Sequence, residues 1–478
     1  MSPDLAPPGR PESAFVRGFH DRSLRYAQTV LRWPVGEAPT AEELLAELFR
    51  FPVLLTANSA DVESAVGQDT LLLAANLLAR MFPIVLFEIP EAALVAVRPL
   101  SSIASPSLPG YVLDLACSIC PFGDFRLLGL TGDTESLADL VVGQGGQRRV
   151  GMERFRVHAT GRGWRALTGV GLPYRNVQEC GNSLGGLVSA AFAAMEMYKA
   201  FLRNVALRRY GRRLPPNLAI DLEPVTKFSL SLLDYGRDIA GSDGPDLPPR
   251  IDLGRVLLIS AGAMANSAIY GLRVLGRVFA SGDVVEPKLL DGPDLNRYVL
   301  MLATDLGKPK GPVLAERALP SLRLEAENTS YQQSTARSGG SSVDLTLVGV
   351  DHPPSRVAVQ RDNPRLIVNA ATEGRMAYVS RHSLEHSGSP CLECFNEHAE
   401  EGVCSADEPI ATLAPTSAIA GLLQASEVIK STVPLLRAYR LRTQVEVNTI
   451  RPDLQYSIRT GRMAPRANCH CQRGSEPT

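Results

Sequence analysis

Short apolar runs alternate with longer helical patterns in both halves of the chain. In the second half, residues 256–259 predict a short buried strand, which a turn of small residues and a helical pattern follow. The first half repeats this order, with predicted strands at residues 53–55 and 84–87 on either side of a long apolar helix. Strands that alternate with helices predict an α/β fold with a largely parallel, doubly wound sheet in each half.

A second similarity lies near the end of each half. Residues 184–201 and 416–433 are rich in small residues, predict helices and end on a Glu-x-x-Lys sequence. The residues of these two sequences are Glu196 with Lys199, and Glu427 with Lys430. Because two similarities occur in the same order, we expect that one α/β unit occurs twice in the chain.

The proline-rich segment 241–250 is the predicted linker between the two units, because it has acidic turn residues and no apolar periodicity. It separates residues 14–240 from residues 251–478, and residues 1–13 are predicted to be disordered. A chain of 478 residues is too long for one typical core, which agrees with this division.

Charge and cysteine content restrict the function further. The formal net charge is −1, so no basic surface indicates a nucleic-acid partner. We find no apolar run long enough to span a bilayer and no signal peptide at the start. Eight cysteines are too few for a disulfide scaffold at this length, and they favour metal-binding or catalytic thiols in a reducing cytoplasm.

The strand, turn and helix that begin the second half resemble a phosphate-binding turn. Gly262 is the one glycine left of the usual three, and Ser260 and Ala265 take the other two positions. Core packing explains this turn equally well. A nucleotide site also requires an acidic residue at the end of the next strand, and we expect Asp291 there. A further predicted strand ends at Asp351, on the same edge of the sheet.

Basic residues follow Asp291 in the chain. Arg297, Lys308 and Lys310 lie in the next connection, from which they could reach phosphates. The chain is poor in lysine, so two lysines at this place are notable. A solvated helix start is the alternative interpretation.

Two cysteine pairs in the second half predict a zinc site. Cys391 and Cys394 form one pair, and Cys469 and Cys471 form the other. Two close pairs separated by a long stretch are typical of four-thiolate zinc sites. Reduced thiols without metal are the alternative. Cys404 belongs to neither pair.

Cys117 and Cys120 also form a CxxC sequence, but no second pair lies near them in the chain. The segment resembles a buried strand end. We therefore expect two packed thiols here rather than metal ligands.

Together these residues resemble the ubiquitin-activating enzymes and their ThiF/MoeB relatives. The sequences LNR at 295–297, DLGKPK at 305–310 and GVD at 349–351 follow Asp291 in the order of that family. The resemblance implies an enzyme that uses ATP and magnesium to adenylate the C-terminal glycine of a ubiquitin-like protein of the β-grasp fold. It implies ribose binding by Asp291, phosphate binding by Asn296, Arg297 and Lys310, and magnesium binding by Asp351.

The same resemblance implies a structural zinc at the two cysteine pairs. The second pair has one intervening residue where the family usually has two, so His470 could replace one of its thiols. The resemblance also places Cys404 on a crossover loop, where relatives form a thioester before passing the protein to a conjugating enzyme, or take part in sulfur transfer. An incidental cysteine or a further zinc ligand is the alternative for Cys404.

The opening of the first half resembles the start of the inactive half of eukaryotic activating enzymes. Its sequence FHDRSLRYAQTVL at 19–31 corresponds to the motif whose arginine reaches the ATP of the partner half. That arginine is Arg22 here, with Arg25 as the alternative. An amphipathic helix with surface arginines explains the segment equally well.

We therefore expect two tandem Rossmann-like ThiF-type domains that form a pseudo-dimer, the inactive domain first and the active one second. The chain is similar to the single-chain activating enzymes of bacterial ubiquitination-like antiphage operons. A sulfur-carrier activator is the close alternative. The alternatives from other classes are a scaffold that has lost ATP binding and an NAD-dependent oxidoreductase.

Overall fold

A computed structural model gives the fold of the chain. It describes residues 14–98, 100, 102–129, 136–144, 155–171, 181–337, 342–350, 353–362, 364–383, 390–395, 411–466 and 469. In the first half the helices and strands, in chain order, are α1 (Ala14–Thr29), α2 (Ala41–Leu48), β1 (Val53–Thr56), α3 (Ser59–Val62), α4 (Ala65–Met81), β2 (Ile84–Glu88), α5 (Leu108–Ile119), β3 (Asp124–Leu127), β4 (Ala138–Val142), β5 (Phe155–Arg162), β6 (Arg165–Gly169), α6 (Leu184–Tyr210), α7 (Pro216–Leu222) and β7 (Phe228–Ser231).

The second half continues with the same kinds of element. They are β8 (Ile251–Ile259), α8 (Ala263–Val274), β9 (Val278–Val285), α9 (Gly292–Leu295), α10 (Lys310–Ala318), β10 (Leu322–Glu327), β11 (Leu345–Val348), α11 (Pro353–Arg361), β12 (Leu366–Glu373), β13 (Met376–Ser383), α12 (Leu392–Phe395), α13 (Ala414–Thr432), β14 (Gln444–Asn448) and β15 (Ile458–Gly461).

The two halves contain sheets of the same strand order. The first sheet runs β3-β2-β1-β4-β5-β6-β7, and the second runs β10-β9-β8-β11-β12-β13-β14-β15. In each sheet the first five strands are parallel and the remaining ones antiparallel. The prediction of an α/β fold with two largely parallel sheets is confirmed, and the repeated order supports the expected duplication. Segment 241–250 connects the sheets.

Local chemistry explains where helix α2 begins. At α2, the Thr40 side chain accepts from the Glu43 amide and the Glu43 carboxylate accepts from the Thr40 amide, which forms a capping box. Strand β1 is buried at every position, as a central parallel strand is expected to be. Among the helices of the described residues, none has the length and apolar character needed to cross a membrane.

The segment that carries Cys117 and Cys120 is the end of α5, so the expected strand end is wrong. Leu115, Ala116 and Ile119 are buried at helical spacing, a pattern that a short apolar run does not distinguish from a strand. Cys120 is buried and burial raises the pKa of its thiol, whereas Cys117 is exposed. One thiol of this pair is packed, not both.

The two Glu-x-x-Lys sequences lie on α6 and α13, where the halves meet. In the first half, Lys199 Nζ donates to Glu196 at 2.7 Å. It also donates to the carbonyl of Ile450 in the second half at 3.0 Å. The second oxygen of Glu196 accepts the amide of Val225 at 3.0 Å. Both side chains of the ion pair are fully buried.

The second half has the same arrangement, and its lysine contacts carbonyls of the first half. Lys430 pairs with Glu427 and crosses to the carbonyls of Leu232 at 2.8 Å and Leu233 at 3.0 Å. Glu427 accepts the amide of Leu441 at 2.8 Å. Each lysine therefore joins its own half to the other, and the similarity found in the sequence marks a contact between the halves.

Other contacts bring the first half against residues that follow α9. Arg80 of α4 is fully buried and donates to the carbonyls of Leu295 and of Met301, the latter at 2.8 Å. Asn76, one turn earlier, donates to the carbonyl of Val299 at 2.9 Å. Helix α4 thereby fixes the backbone of residues 295–301 from the opposite half.

Lys430→Met is expected to lower the free energy of unfolding by about 3–5 kcal/mol, because Glu427 would stay buried without its cation. The double variant Glu427→Gln/Lys430→Met should lose less, since no buried charge remains unpaired. Urea denaturation followed by circular dichroism measures both, with Lys227→Met, at an exposed lysine, as the surface control. A double variant at least as unstable as the single one would contradict this account.

Candidate functional site

The turn between β8 and α8 leaves the start of α8 open. Gly262 precedes the helix, and no side chain of the described residues caps its first amides. A Cβ at Gly262 would lie 3.8 Å from the hydroxyl of Tyr298 and 3.9 Å from the carbonyl of Gly349. Uncapped amides at the start of a helix of 12 residues can bind an anion.

Ser260 holds this turn in place of a glycine. Its φ is +82°, a conformation that favours glycine and costs a residue with a side chain roughly 1–3 kcal/mol. Its hydroxyl accepts from the Gly262 amide at 3.1 Å and donates to Glu286 at 3.1 Å. Glu286 also accepts the Ala261 amide at 2.9 Å. These bonds offset part of the strain.

Glu286, and not Asp291, is the acidic residue at the end of the strand. Strand β9 ends at Val285, and Glu286 follows directly and is buried. Asp291 lies further along, where it caps α9, so its predicted position at the strand end is wrong. The signal for Glu286 was present, because it is the first acidic residue after the apolar part of the strand.

Asp291 and Asp294 form a capping box around the four-residue helix α9. Each carboxylate accepts the backbone amide of the other residue, at 3.2 and 3.3 Å. Burial raises the pKa of Asp291, and the neighbouring Asp294 raises it further. The box fixes both side chains at the edge of the sheet.

Lys310 and Arg22 approach the same carboxylate from different halves. Lys310 Nζ lies 2.7 Å from one oxygen of Asp294, and a nitrogen of Arg22 lies 4.0 Å from the other. The Tyr298 hydroxyl is 3.5 Å from Lys310 Nζ. Burial opposes the charged forms, but mutual attraction lowers the pKa of Asp294 and raises that of Lys310, so both are charged at neutral pH.

Arg297 adds a third cation. Its guanidinium lies 5.8 Å from the centroid of the Tyr298 ring, and Lys310 Nζ lies 5.2 Å from the same centroid. Burial lowers the pKa of Arg22, and the positive charge of Arg297 lowers it further. Within the described part of the chain, the buried Nε atoms of Arg22 and Arg297 have no hydrogen-bond partner. Buried donors of this kind normally find an acceptor. Lys308, in contrast, is half-exposed and pairs with Asp305.

Asn296 does not join this cluster. Its side-chain amide donates to the hydroxyl of Ser23 on α1 at 2.9 Å and to the carbonyl of Arg80 at 3.3 Å. Asn296 is fully buried between the halves, so its predicted place beside the phosphates is not the one it occupies. It holds α1, the helix that carries Arg22, against α9.

In the first half, the start of α4 corresponds to the open start of α8. The space in front of it, which we call the cradle, is closed. Ser64 caps α4 by accepting the Gly67 amide at 2.9 Å, and Gln68 donates to the carbonyl of Val62 in α3 at 2.9 Å. A Cβ at Gly67 would lie 1.7 Å from the carbonyl oxygen of Asp61. Helix α3 therefore lies directly on the first turn of α4, where an anion would need space.

A remnant of the shared turn persists in the first half. Thr56 donates to Glu88 at 3.1 Å, as Ser260 donates to Glu286 at 3.1 Å. Both carboxylates are buried at the carboxyl end of the second strand of their sheet. The acidic strand end thus belongs to the repeated unit, whereas the open helix start occurs in the second half.

Three cysteines come together as the sequence predicts. The Sγ atom of Cys391 lies 3.3 Å from that of Cys469 and 3.8 Å from that of Cys394, and all three thiols are buried. Tetrahedral zinc with Zn–S bonds of about 2.3 Å separates its sulfurs by about 3.8 Å, so the three thiols fit such an ion. Burial raises the pKa of Cys391 and the neighbouring thiols raise it further, an effect that a bound cation would reverse.

Three predicted site residues lie outside the described residues. They are the magnesium ligand Asp351, the thioester residue Cys404 and the fourth thiol Cys471. Gly349, which follows β11, borders the turn at Gly262 and marks the edge at which Asp351 is expected.

A cavity of about 310 Å³ lies at the opposite edge of the second sheet. Residues at the amino ends of β8, β11 and β12 line it, among them Asp252, Asp344 and Arg365. It contains none of the predicted site residues, so we place the candidate site at the cation cluster.

Comparison with known proteins agrees with the ThiF part of the resemblance in the sequence. The ThiF family matches residues 282–472. The uncharacterized protein y4jF of Sinorhizobium fredii is 30% identical over 423 residues, 84% of this chain and 73% of the relative. The chain therefore belongs to the family of this relative, with a ThiF family domain in its second half.

Two further similarities cover parts of the chain. A sulfur carrier protein adenylyltransferase of Thermus thermophilus is 27% identical over 202 residues, 39% of this chain and 72% of the relative. Crystal structures of E. coli MccB, with MccA-N7isoASN and with succinimide, match with TM-scores of 0.37 at 18% and 20% identity. They cover 45% of this chain, which spans 66% of the MccB chain.

Protein purified without chelator is expected to contain about one zinc per chain, because four thiolates form a closed tetrahedral site. Cys391→Ser/Cys394→Ser should lose the metal and melt at a lower temperature, since such a site contributes on the order of 10 kcal/mol to folding. Elemental analysis and thermal unfolding measure this. Cys117→Ser, at an exposed cysteine outside the cluster, is the matched control. Unchanged zinc in the double variant would contradict the site.

Proposed function

We propose that the second half binds ATP and adenylates the C-terminal carboxylate of a small β-grasp protein, of the ubiquitin-like or sulfur-carrier class. The observation that carries this proposal is the cluster of Lys310, Arg297 and Arg22, which Tyr298 connects to the uncapped start of α8. Open helix amides, a lysine and two arginines whose buried Nε atoms lack an acceptor within the described residues fit a polyphosphate. The ThiF match and the adenylyltransferase relative support the same activity.

The proposed nucleotide lies across the turn at Gly262. Its phosphates take the α8 amides, Lys310 and the two arginines, and Glu286 or Asp291 accepts the ribose hydroxyls. Asp351 is the proposed magnesium ligand on the adjacent strand end. An NAD-dependent oxidoreductase would need the acidic strand end and the turn, but it leaves Lys310 and the two arginines without a role.

In the proposed reaction, a carboxylate oxygen of the carrier's C-terminal glycine attacks the α-phosphorus of ATP. The bond from that phosphorus to the bridging oxygen breaks, and pyrophosphate leaves. Charge develops on the leaving pyrophosphate, and Lys310, Arg297 and Arg22 are placed to stabilise it. Arg22 makes this a site of both halves, because α1 belongs to the first.

Cys404 is the proposed acceptor for the next step. Its thiol loses its proton to solvent, and the thiolate attacks the acyl carbon of the adenylate, so a thioester forms and AMP leaves. The carrier then passes to a conjugating enzyme, as in ubiquitination-like defence systems. A sulfur-carrier activator is the second candidate, and the name of the Thermus relative favours it. That enzyme would stop at the adenylate or use Cys404 for sulfur.

Lys310→Ala is expected to lower ATP–pyrophosphate exchange about 100-fold or more, because a charge contact to the leaving group is lost. Lys308→Ala, two residues away and half-exposed, is the matched control and should keep the wild-type rate. Asp351→Ala should also abolish exchange, and Arg22→Ala should slow it. Wild-type exchange in Lys310→Ala would place the nucleotide elsewhere. The assay supplies as the carrier a small β-grasp protein that ends in glycine.

Cys404→Ala is expected to keep pyrophosphate exchange but lose the ATP-dependent, reducible adduct with the carrier protein. Adenylation precedes the thiol, so only the second step should fail. A non-reducing gel measures the adduct, with Cys117→Ser as the control. An adduct that survives in Cys404→Ala would assign the nucleophile to another cysteine. Exchange without any adduct in the wild type would favour the sulfur-carrier activator.

A further inference from the structure

Asp294 occupies the centre of the cation cluster. Its side chain is almost fully buried, with one oxygen on Lys310 and the other facing Arg22. These are the two cations, one from each half, that the proposed function assigns to phosphate. A carboxylate therefore already sits where phosphate oxygens are expected.

The local structure does not require a charge at this position. Asp294 accepts the amide of Asp291 and donates its own amide to the Asp291 carboxylate, as part of the capping box. The side-chain oxygen of an asparagine accepts a backbone amide equally well. The capping box thus explains a short polar side chain, but the negative charge matters to the cations.

The charges around Asp294 explain why an anion is present. Lys310 is buried and Arg22 is partly buried, and Arg297 lies with Lys310 over the ring of Tyr298. Without a counter-ion, three positive groups would repel one another in a buried place. With Asp294, Lys310 is held in one position, while the Nε atoms of both arginines lack an acceptor among the residues that the structure describes.

We propose that Asp294 is a built-in counter-ion of the phosphate site. In the free protein it holds Lys310 and Arg22 in place, and a bound polyphosphate replaces it as their partner. This inference rests on the proposed function, because it takes these cations to be the phosphate-binding groups. A ligand with a single negative charge gains little over the carboxylate already in place. Pyrophosphate carries several charges and displaces it, so Asp294 selects for polyphosphate. It acts through the cations and is a positioning residue.

The test is calorimetric titration of the full chain with inorganic pyrophosphate and with orthophosphate, in buffer without divalent metal. Asp294→Asn keeps the capping box and removes the charge. It should bind pyrophosphate about tenfold more tightly than the wild type. Its affinity for orthophosphate should rise by a larger factor, so the preference for pyrophosphate falls. A merely structural role for Asp294 would weaken binding instead.

Three further variants separate the possible outcomes. Asp344→Asn removes one carboxylate from the opposite edge of the sheet, and an equal gain in that control would reduce the effect to net charge and overturn the inference. Lys310→Ala should weaken pyrophosphate binding. If Lys310→Ala weakens binding but Asp294→Asn does not tighten it, the counter-ion role of Asp294 is wrong and the proposed site stands. If Lys310→Ala binds like the wild type, the proposed site itself is wrong. Asp294→Ser, which also keeps a cap, replaces Asp294→Asn if the latter unfolds.

Discussion

Two buried lysines that donate into the opposite half determine how the two sheets sit together. Lys199 reaches Ile450, and Lys430 reaches Leu232 and Leu233, while each lysine stays paired with a glutamate of its own helix. Removing four charges from water is costly, so these pairs are weak evidence for stability. Their value is geometric. A rotation between the halves would separate each ammonium group from its carbonyl partners and leave a charge buried without its full set of bonds.

The candidate site depends on this fixed geometry because its cations come from both halves. Arg22 lies on α1, and Lys310 lies at the start of α10. Asn296 ties α1 to α9 through Ser23, and Arg80 holds the carbonyls on either side of the loop that follows. A shift of the halves by one or two ångströms would break these bonds and move Arg22 away from Asp294. The contacts between the halves are therefore part of the structure of the site.

Much of the fold follows from the sequence, because its signals are local. Apolar runs identify β1, β2 and β8, and the repeated Glu-x-x-Lys sequence identifies the two central helices. The cysteine spacing identifies three thiols that do meet. The acidic residues were harder to place, because pattern alone does not fix the last residue of a strand. Glu286 is at the strand end and Asp291 is a helix cap, a distinction that depends on where β9 stops pairing with β8 and β10. The role of Asn296 depends on Ser23, 273 residues away, and no local pattern reveals such a contact.

The asymmetry of the duplicated unit explains why the second half is the better candidate for a nucleotide site. The first half places α1 and α2 before β1, whereas β8 follows the connecting segment directly. One helix is thus available to cross between the halves, and it delivers Arg22 to the second sheet. In the described structure no corresponding helix precedes β8 to supply an arginine to the first sheet. An open cradle in the first half would lack that cross-half cation, and there α3 covers the start of α4 instead. The closed cradle of the first half agrees with this missing helix. Because α1 has no counterpart before β8 in the described structure, an arginine from the opposite half can complete the site of the second half but not one in the first half.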